Sequence, residues 1–118
     1  MLRLLMLDDE SSRHEKVSLA LTRCIQTHCT TPEELSAALR SVSFDVVLLD
    51  HDLGQAETGL DCVRDNIHHF AKAFVVVHSN NKPGADSMIG CLRESGIPCE
   101  HIPFTSERLI QALLDAGF

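Results

Sequence analysis

Three short clusters in the chain carry the side chains best suited to acid–base or metal chemistry: Asp8-Asp9-Glu10, Asp50-His51-Asp52 and His78-Ser79-Asn80-Asn81. Neighbouring carboxylates repel, and each raises the pKa of the other unless something positive lies between them. A hard divalent cation bound through oxygen does this well, and Mg²⁺ keeps several waters that a phosphate can replace. Asp8, Asp9 and Asp50 are therefore candidate metal ligands, with Asp52 as a fourth. The histidines widen the choice, because imidazole suits Mn or Zn better than Mg. They also offer a general acid or base near neutral pH, with His51 and His78 as the candidates. Ser79, Asn80 and Asn81 can donate hydrogen bonds to phosphoryl oxygens. Each cluster has a plainer explanation. Acids before a helix complement its dipole, Asp50-His51-Asp52 fits an ordinary turn, and His78 could cap a strand from within the core. His68-His69 fits the negative end of a helix, and His14 and His28 read as surface residues.

The elements between these clusters would bring them together. Leu2–Leu7 is almost continuously apolar, as a strand covered on both faces should be. Ser11 or Ser12 can cap a helix whose stripe is Val17, Ala20, Leu21 and Cys24. Ile25–Cys29 is a weak second strand. Thr31-Pro32-Glu33-Glu34 supplies an N-cap, a proline in the first turn and a capping-box glutamate. Phe44–Leu49 is the third strand. Thr58, with Asp61 three residues on, opens a helix lined by Leu60, Val63, Ile67 and Phe70. Ala73–Val77 is the fourth strand, and Gly96 closes the helix that follows. Ile97–Ile102 is the fifth, and Thr105 caps a last helix. Short apolar runs alternating with helical periodicity predict five β-α units around a parallel sheet. Ligands of such sheets bind outside the carboxyl ends of the strands, where all three clusters fall. His101, near the end of the fifth strand, is a weaker member.

The chain has 118 residues, of which 44% are apolar, which suits a single domain spanning 1–118. Its net charge of −7 argues against a nucleic-acid backbone as partner. No apolar run is long enough to span a bilayer. The N-terminus reads as a buried strand rather than a signal peptide, because acids stand where a cleavage site should be. The five cysteines, an odd number without Cys-x-x-Cys, read as reduced thiols in a cytoplasmic protein. A zinc site using Cys24, His28 and Cys29 fits no structural zinc spacing.

Leu7-Asp8-Asp9-Glu10, Asp45-Val46-Val47-Leu48-Leu49-Asp50 and Thr58-Gly59-Leu60-Asp61 resemble the receiver domain of response regulators. The resemblance implies a flavodoxin-like (βα)5 doubly wound parallel sheet with strand order 2-1-3-4-5. It also implies a Mg²⁺ site at Asp8, Asp9 and Asp50, a phosphoacceptor at Asp50 and a hydroxyl switch at Ser79. One position departs from the pattern. His101-Ile102-Pro103-Phe104 puts Ile102 where receivers carry a phosphate-contacting lysine. A narrower likeness lies in Leu49-Asp50-His51-Asp52-Leu53-Gly54 and in His78-Ser79-Asn80-Asn81 followed by Gly84 and Met88. These segments are similar to the cyclic-phosphate-processing receivers. That group implies metal-dependent hydrolysis of a cyclic phosphate. On this reading the catalytic groups expected are Asp50, His51, His78 and Ser79, with Asn80 and Asn81 on the ligand. The cofactor expected is a divalent metal, Mg²⁺ first, with Mn²⁺ or Zn²⁺ as alternatives. The partner expected is a phosphate-containing small molecule or a phosphodonor protein. A phosphorelay receiver using Asp50, or a non-enzymatic interaction module, are the other readings.

Overall fold

The computed structural model describes residues 1–118. Five strands, β1 (Leu2–Leu7), β2 (Cys24–Cys29), β3 (Val46–Leu49), β4 (Phe74–Val77) and β5 (Cys99–His101), alternate with five helices. The helices are α1 (Ser11–Ala20), α2 (Pro32–Ser41), α3 (Gly59–Asp65), α4 (Lys82–Glu94) and α5 (Arg108–Asp115). All strand pairings are parallel and the order is β2-β1-β3-β4-β5, the flavodoxin-like arrangement expected.

Strand side chains alternate between faces, and both faces of this sheet are covered, so the inner strands β1, β3 and β4 are apolar apart from Arg3, while the edge strands β2 and β5 carry Gln26, Thr27, His28, Glu100 and His101. Leu5, Leu7, Val47, Leu49, Val75 and Val77 pack under α2, α3 and α4 with Leu35, Val63 and Met88. Leu4, Met6, Val46, Leu48 and Val76 pack on the other face, against Val17 of α1 and Leu109 and Leu113 of α5. This double cover makes the register rigid, because a slip of one residue would exchange the two faces.

Helix starts follow the chemistry of the chain in two cases out of the four expected. Thr31 with Glu34, and Thr58 with Asp61, form reciprocal capping boxes. The caps expected at Ser11 or Ser12 and at Thr105 do not form. Glu10 and Glu107 precede α1 and α5 without a side-chain cap, and Thr105 instead donates its hydroxyl to Asn80 Oδ1 at 3.1 Å. The stripe Val17, Ala20, Leu21 and Cys24 is broken at its last member. The helix ends at Ala20, and Cys24 opens β2 opposite Leu2. Strands β3 and β5 are shorter than expected. Ile97 lies just past α4 and closes its C-terminus, its amide donating to the Leu92 carbonyl, with Gly96 in the left-handed region at φ +73°. All five cysteines are free, and Cys24 and Cys29 stand at opposite ends of β2, too far apart in register to share an ion.

The two-faced core sets a test. Leu48 is fully buried and Leu19 is 73% exposed. Leu48→Ala should cost about 2–5 kcal/mol, and Leu19→Ala should stay within about 0.5 kcal/mol. Urea titration of the two variants measures both, and similar losses at the two positions would contradict this packing.

Candidate functional site

Parallel pairing stops at Leu7, Leu49 and Val77, and the next residues of the three strands are Asp8, Asp50 and His78. The ladder continues one step beyond the strands. Asp50 N–H donates to the Leu7 carbonyl at 3.1 Å and His78 N–H to the Leu49 carbonyl at 2.9 Å. Because β3 lies between β1 and β4, Asp50 is flanked by Asp8 on one side and His78 on the other. Ligating atoms of Asp8, Asp50 and His78 all lie within 4.8 Å of one another.

Asp8 and His78 are both fully buried, and His78 Nε2 donates to Asp8 Oδ2 at 2.8 Å. The other Asp8 oxygen accepts the Glu10 amide at 2.8 Å. Burial opposes ionisation of Asp8, but the His78 and Glu10 hydrogen bonds, with the nearby charges, outweigh it and hold the carboxyl below its ordinary pKa. For Asp50 the balance reverses. Burial and the adjacent Asp8 push its pKa up, against His78, the His51 amide and Arg13, which act the other way. His78 Nδ1 is buried with no hydrogen-bond partner, and the ring meets Phe104 edge-on at 5.7 Å between centroids.

Above these groups lies a polar pocket of about 350 Å³ with no hydrophobic residue in its wall. Asp9, Glu10, Arg13 and Asp50 form one side, and Asp52, Ser79, Asn80 and Asn81 the other. Neither His51 nor His78 is part of this wall, although both were expected to face the ligand. His78 lies beneath the floor, held by Asp8. His51 lies against α4, its Nδ1 2.9 Å from Asp52 Oδ1, with 15% of its side chain exposed. A Cβ on Gly84 would come within 2.6 Å of the His51 ring, so only glycine leaves room for it there. Gly59 is equally constrained, since a Cβ would run into the Asp50 carbonyl.

Other expected members take supporting positions. Asn81 caps α4, with Oδ1 accepting the Gly84 amide at 3.1 Å and Nδ2 donating to Asp52 Oδ2 at 3.2 Å. Ser79 Oγ accepts the Asn81 amide at 3.1 Å. His101 Nε2 donates to the Ser79 carbonyl at 2.7 Å, bracing the loop rather than entering the pocket. Ile102 is 2% exposed and packs in the core under α1 and α5.

Two findings went unread in the sequence. His14 and His28 are not simple surface residues. Their Nδ1 atoms share a hydrogen bond at 2.6 Å, and His14 Nε2 donates to the Asp8 carbonyl at 2.8 Å. Arg13 reaches over the acids, with Nη1 3.3 Å from Asp8 Oδ2 and 3.5 Å from Asp50 Oδ2. A cation in the first turn of a helix opposes the helix dipole, and that misplaced sign was the available signal.

The two carboxyls respond to pH with opposite signs. A carboxyl held below its unfolded pKa stabilises the fold at neutral pH and loses that contribution as pH falls through its folded pKa; this is Asp8. A carboxyl pushed above it contributes favourably only at low pH and loses this as pH rises through its folded pKa; this is Asp50. Asp50→Asn should therefore raise the Tm of the metal-free protein by a few degrees at about pH 7. The gain should fade toward about pH 4, as the wild-type carboxyl takes up its proton. Thermal unfolding in chelator across that range measures it, and a variant less stable than wild type at neutral pH would contradict the assignment.

Solved structures share this architecture. A CheY-like response regulator receiver domain from Methanospirillum hungatei JF-1 matches at TM-score 0.73 and 16% identity, over 98% of this chain and 90% of that one. The response regulator TrrA from Thermotoga maritima, solved in complex with Mg²⁺ and BeF, matches at TM-score 0.70 and 18% identity, over 98% of both chains. The receiver domain of HemR from Leptospira biflexa, non-phosphorylated, matches at TM-score 0.75 and 19% identity, over 98% of this chain and 91% of that one. No curated protein sequence matches the chain. At such identities the structures speak for the fold alone. The sequence profile of the cyclic-phosphate processing receiver domain matches residues 3–94, which include all three clusters of the pocket. The chain belongs to the cyclic-phosphate processing receiver domain family.

Proposed function

We propose that this pocket binds a divalent cation through Asp8 and Asp50, with Asp9 at its edge, and hydrolyses a cyclic phosphodiester. The observation that carries the reading is the convergence of two buried carboxylates and His78 within 4.8 Å, beneath a pocket walled only by polar groups and glycine. The donor set fits a hard ion. The Nε2–H of His78 is already given to Asp8, so the groups left to a cation are carboxylate oxygens, which favours Mg²⁺ or Mn²⁺ over Zn²⁺. A cation held there would supply positive charge to the phosphoryl group and activate water.

The residues of the chain divide the remaining work. Asp52 receives the Nδ1–H of His51 and so orients the ring, leaving Nε2 without a partner inside the chain; the ring stands outside the pocket wall, so it would serve as acid or base for a ligand whose leaving oxygen extends past Asp52. His78, fully buried, acts through Asp8 as a positioning residue. Asn80 at the pocket wall offers an amide to phosphoryl oxygens, whereas the side chain of Asn81 is committed to α4 and Asp52. The phosphorelay reading keeps one supporting observation, the Asp50 carboxylate, which is buried but lines the polar pocket. It lacks an ammonium to hold an aspartyl phosphate, because Ile102 is in the core.

A screen of cyclic phosphates against Mg²⁺ and Mn²⁺ with purified protein tests the proposal. Turnover should need the metal and vanish in Asp50→Asn, and His51→Ala should lower kcat by about 10²–10⁴-fold. A stable Mg²⁺-dependent phosphoryl adduct on Asp50 from a small phosphodonor, with no turnover of any cyclic phosphate, would establish the phosphorelay reading instead.

A further inference from the structure

The cation nearest the two buried acids is Arg13, a residue to which neither receiver likeness assigned a role. We infer that Arg13 has two stations: on Asp8 and Asp50 when the acids hold no metal, and on the phosphoryl group of a ligand when they do. The inference rests on the reading of the acids as a divalent-metal site.

Three observations converge on it. Nη1 lies 3.3 Å from Asp8 Oδ2 and 3.5 Å from Asp50 Oδ2, so the guanidinium occupies the point toward which both carboxylates turn an oxygen. These contacts are long beside the 2.7–2.9 Å usual for strong charge-assisted pairs, so Arg13 is held loosely enough to leave. Its Cζ lies 5.4 Å from the Phe104 ring centroid, an aromatic surface over which the guanidinium can turn without losing its neighbour. Finally, Arg13 is the one basic residue in the pocket wall, which it shares with Ser79, Asn80 and Asp52.

The physics of the site then forces an exchange. A guanidinium and a divalent cation cannot share the same two carboxylate oxygens, because like charges at such distances repel strongly where water is scarce. Metal binding must displace Arg13. A short swing takes it to the mouth of the pocket, where its planar fork suits two non-bridging phosphoryl oxygens. Arg13 would thus supply, from the first helix, the positive charge that Ile102 cannot supply from the loop after β5.

The exchange predicts effects of opposite sign from one substitution. Mn²⁺ binding is measured by calorimetry on the full chain, then inorganic phosphate binding on the Mn²⁺-loaded protein. Arg13→Gln should bind Mn²⁺ more tightly than wild type, by roughly 5-fold or more, because a resident competitor is gone. The same variant should bind phosphate at least about 10-fold more weakly. Arg13→Lys should keep the competition with Mn²⁺ and lose most of the phosphate affinity, since a point charge replaces a fork. Lys16→Gln, which removes the other cation near Phe104, should change neither. Weaker or unchanged Mn²⁺ binding in a folded Arg13→Gln protein would overturn the first station, and unchanged phosphate binding would overturn the second. If wild type binds no Mn²⁺, the metal site itself fails, and that result is seen before any variant is compared.

Discussion

A single buried hydrogen bond, from His78 to Asp8, organises the carboxyl edge of this sheet. It joins the residue after β1 to the residue after β4, and it passes beside the end of β3, where Asp50 emerges. Neither partner touches solvent. A buried carboxylate without such a partner would be costly, and removing either member would leave the other unsatisfied. With the bond in place, Asp8 is kept ionised while its neighbour Asp50 is pushed toward its neutral form. Two chemically identical side chains thereby acquire different characters: burial opposes ionisation of both, the hydrogen bonds from His78 and the Glu10 amide outweigh it at Asp8, and at Asp50 burial and the neighbouring Asp8 prevail.

The arrangement accepts instability where the pocket needs it. Two carboxylates and a guanidinium at the end of a sheet do less for folding than apolar groups of similar size would, and His78 Nδ1 is left without a partner. The surrounding core is built to bear this. Every residue from Leu4 to Leu7 and from Val46 to Leu49 is buried, and helices cover both faces. Strain of this kind, gathered at one edge and supported by an otherwise consistent fold, is the usual mark of a working site.

Most of the architecture was legible because it rests on local signals. β1 was readable to the residue from its almost continuous apolar run, and the starts of α2 and α3 from capping boxes that the structure contains, although α3 ends at Asp65, before the expected Ile67 and Phe70. Elements failed where a tertiary contact outweighed a local preference. Cys24 fits the stripe of α1 by period, but pairing with β1 takes it into β2. Ser11 and Ser12 are good capping residues but lie inside α1, just past its N-cap Glu10, and Thr105 stands two residues before the N-cap of α5, Glu107. The clusters could be found because strand ends deliver them, yet the direction of each side chain could not. Nothing in Asp50-His51-Asp52 says that the ring turns toward α4, and nothing in His78-Ser79 says that the histidine goes under the floor. Arg13 and the His14–His28 pair depend on the packing of α1 against β2 and the pocket, a relation that no periodicity records.

The resting place of His51 has a consequence for how such pockets can vary among related chains. Its ring occupies the volume that a methyl group at position 84 would need, on the first turn of a helix whose cap also holds Asp52. The imidazole, the missing side chain and the cap are thus one interlocked unit, and none can drift alone. Acids at the strand ends are easily kept while a protein changes its chemistry, so they say little about which chemistry it performs. The glycine is more telling. A sequence that keeps the acids but carries even alanine at position 84 has no room for this histidine, and must have given up this pocket for a different one.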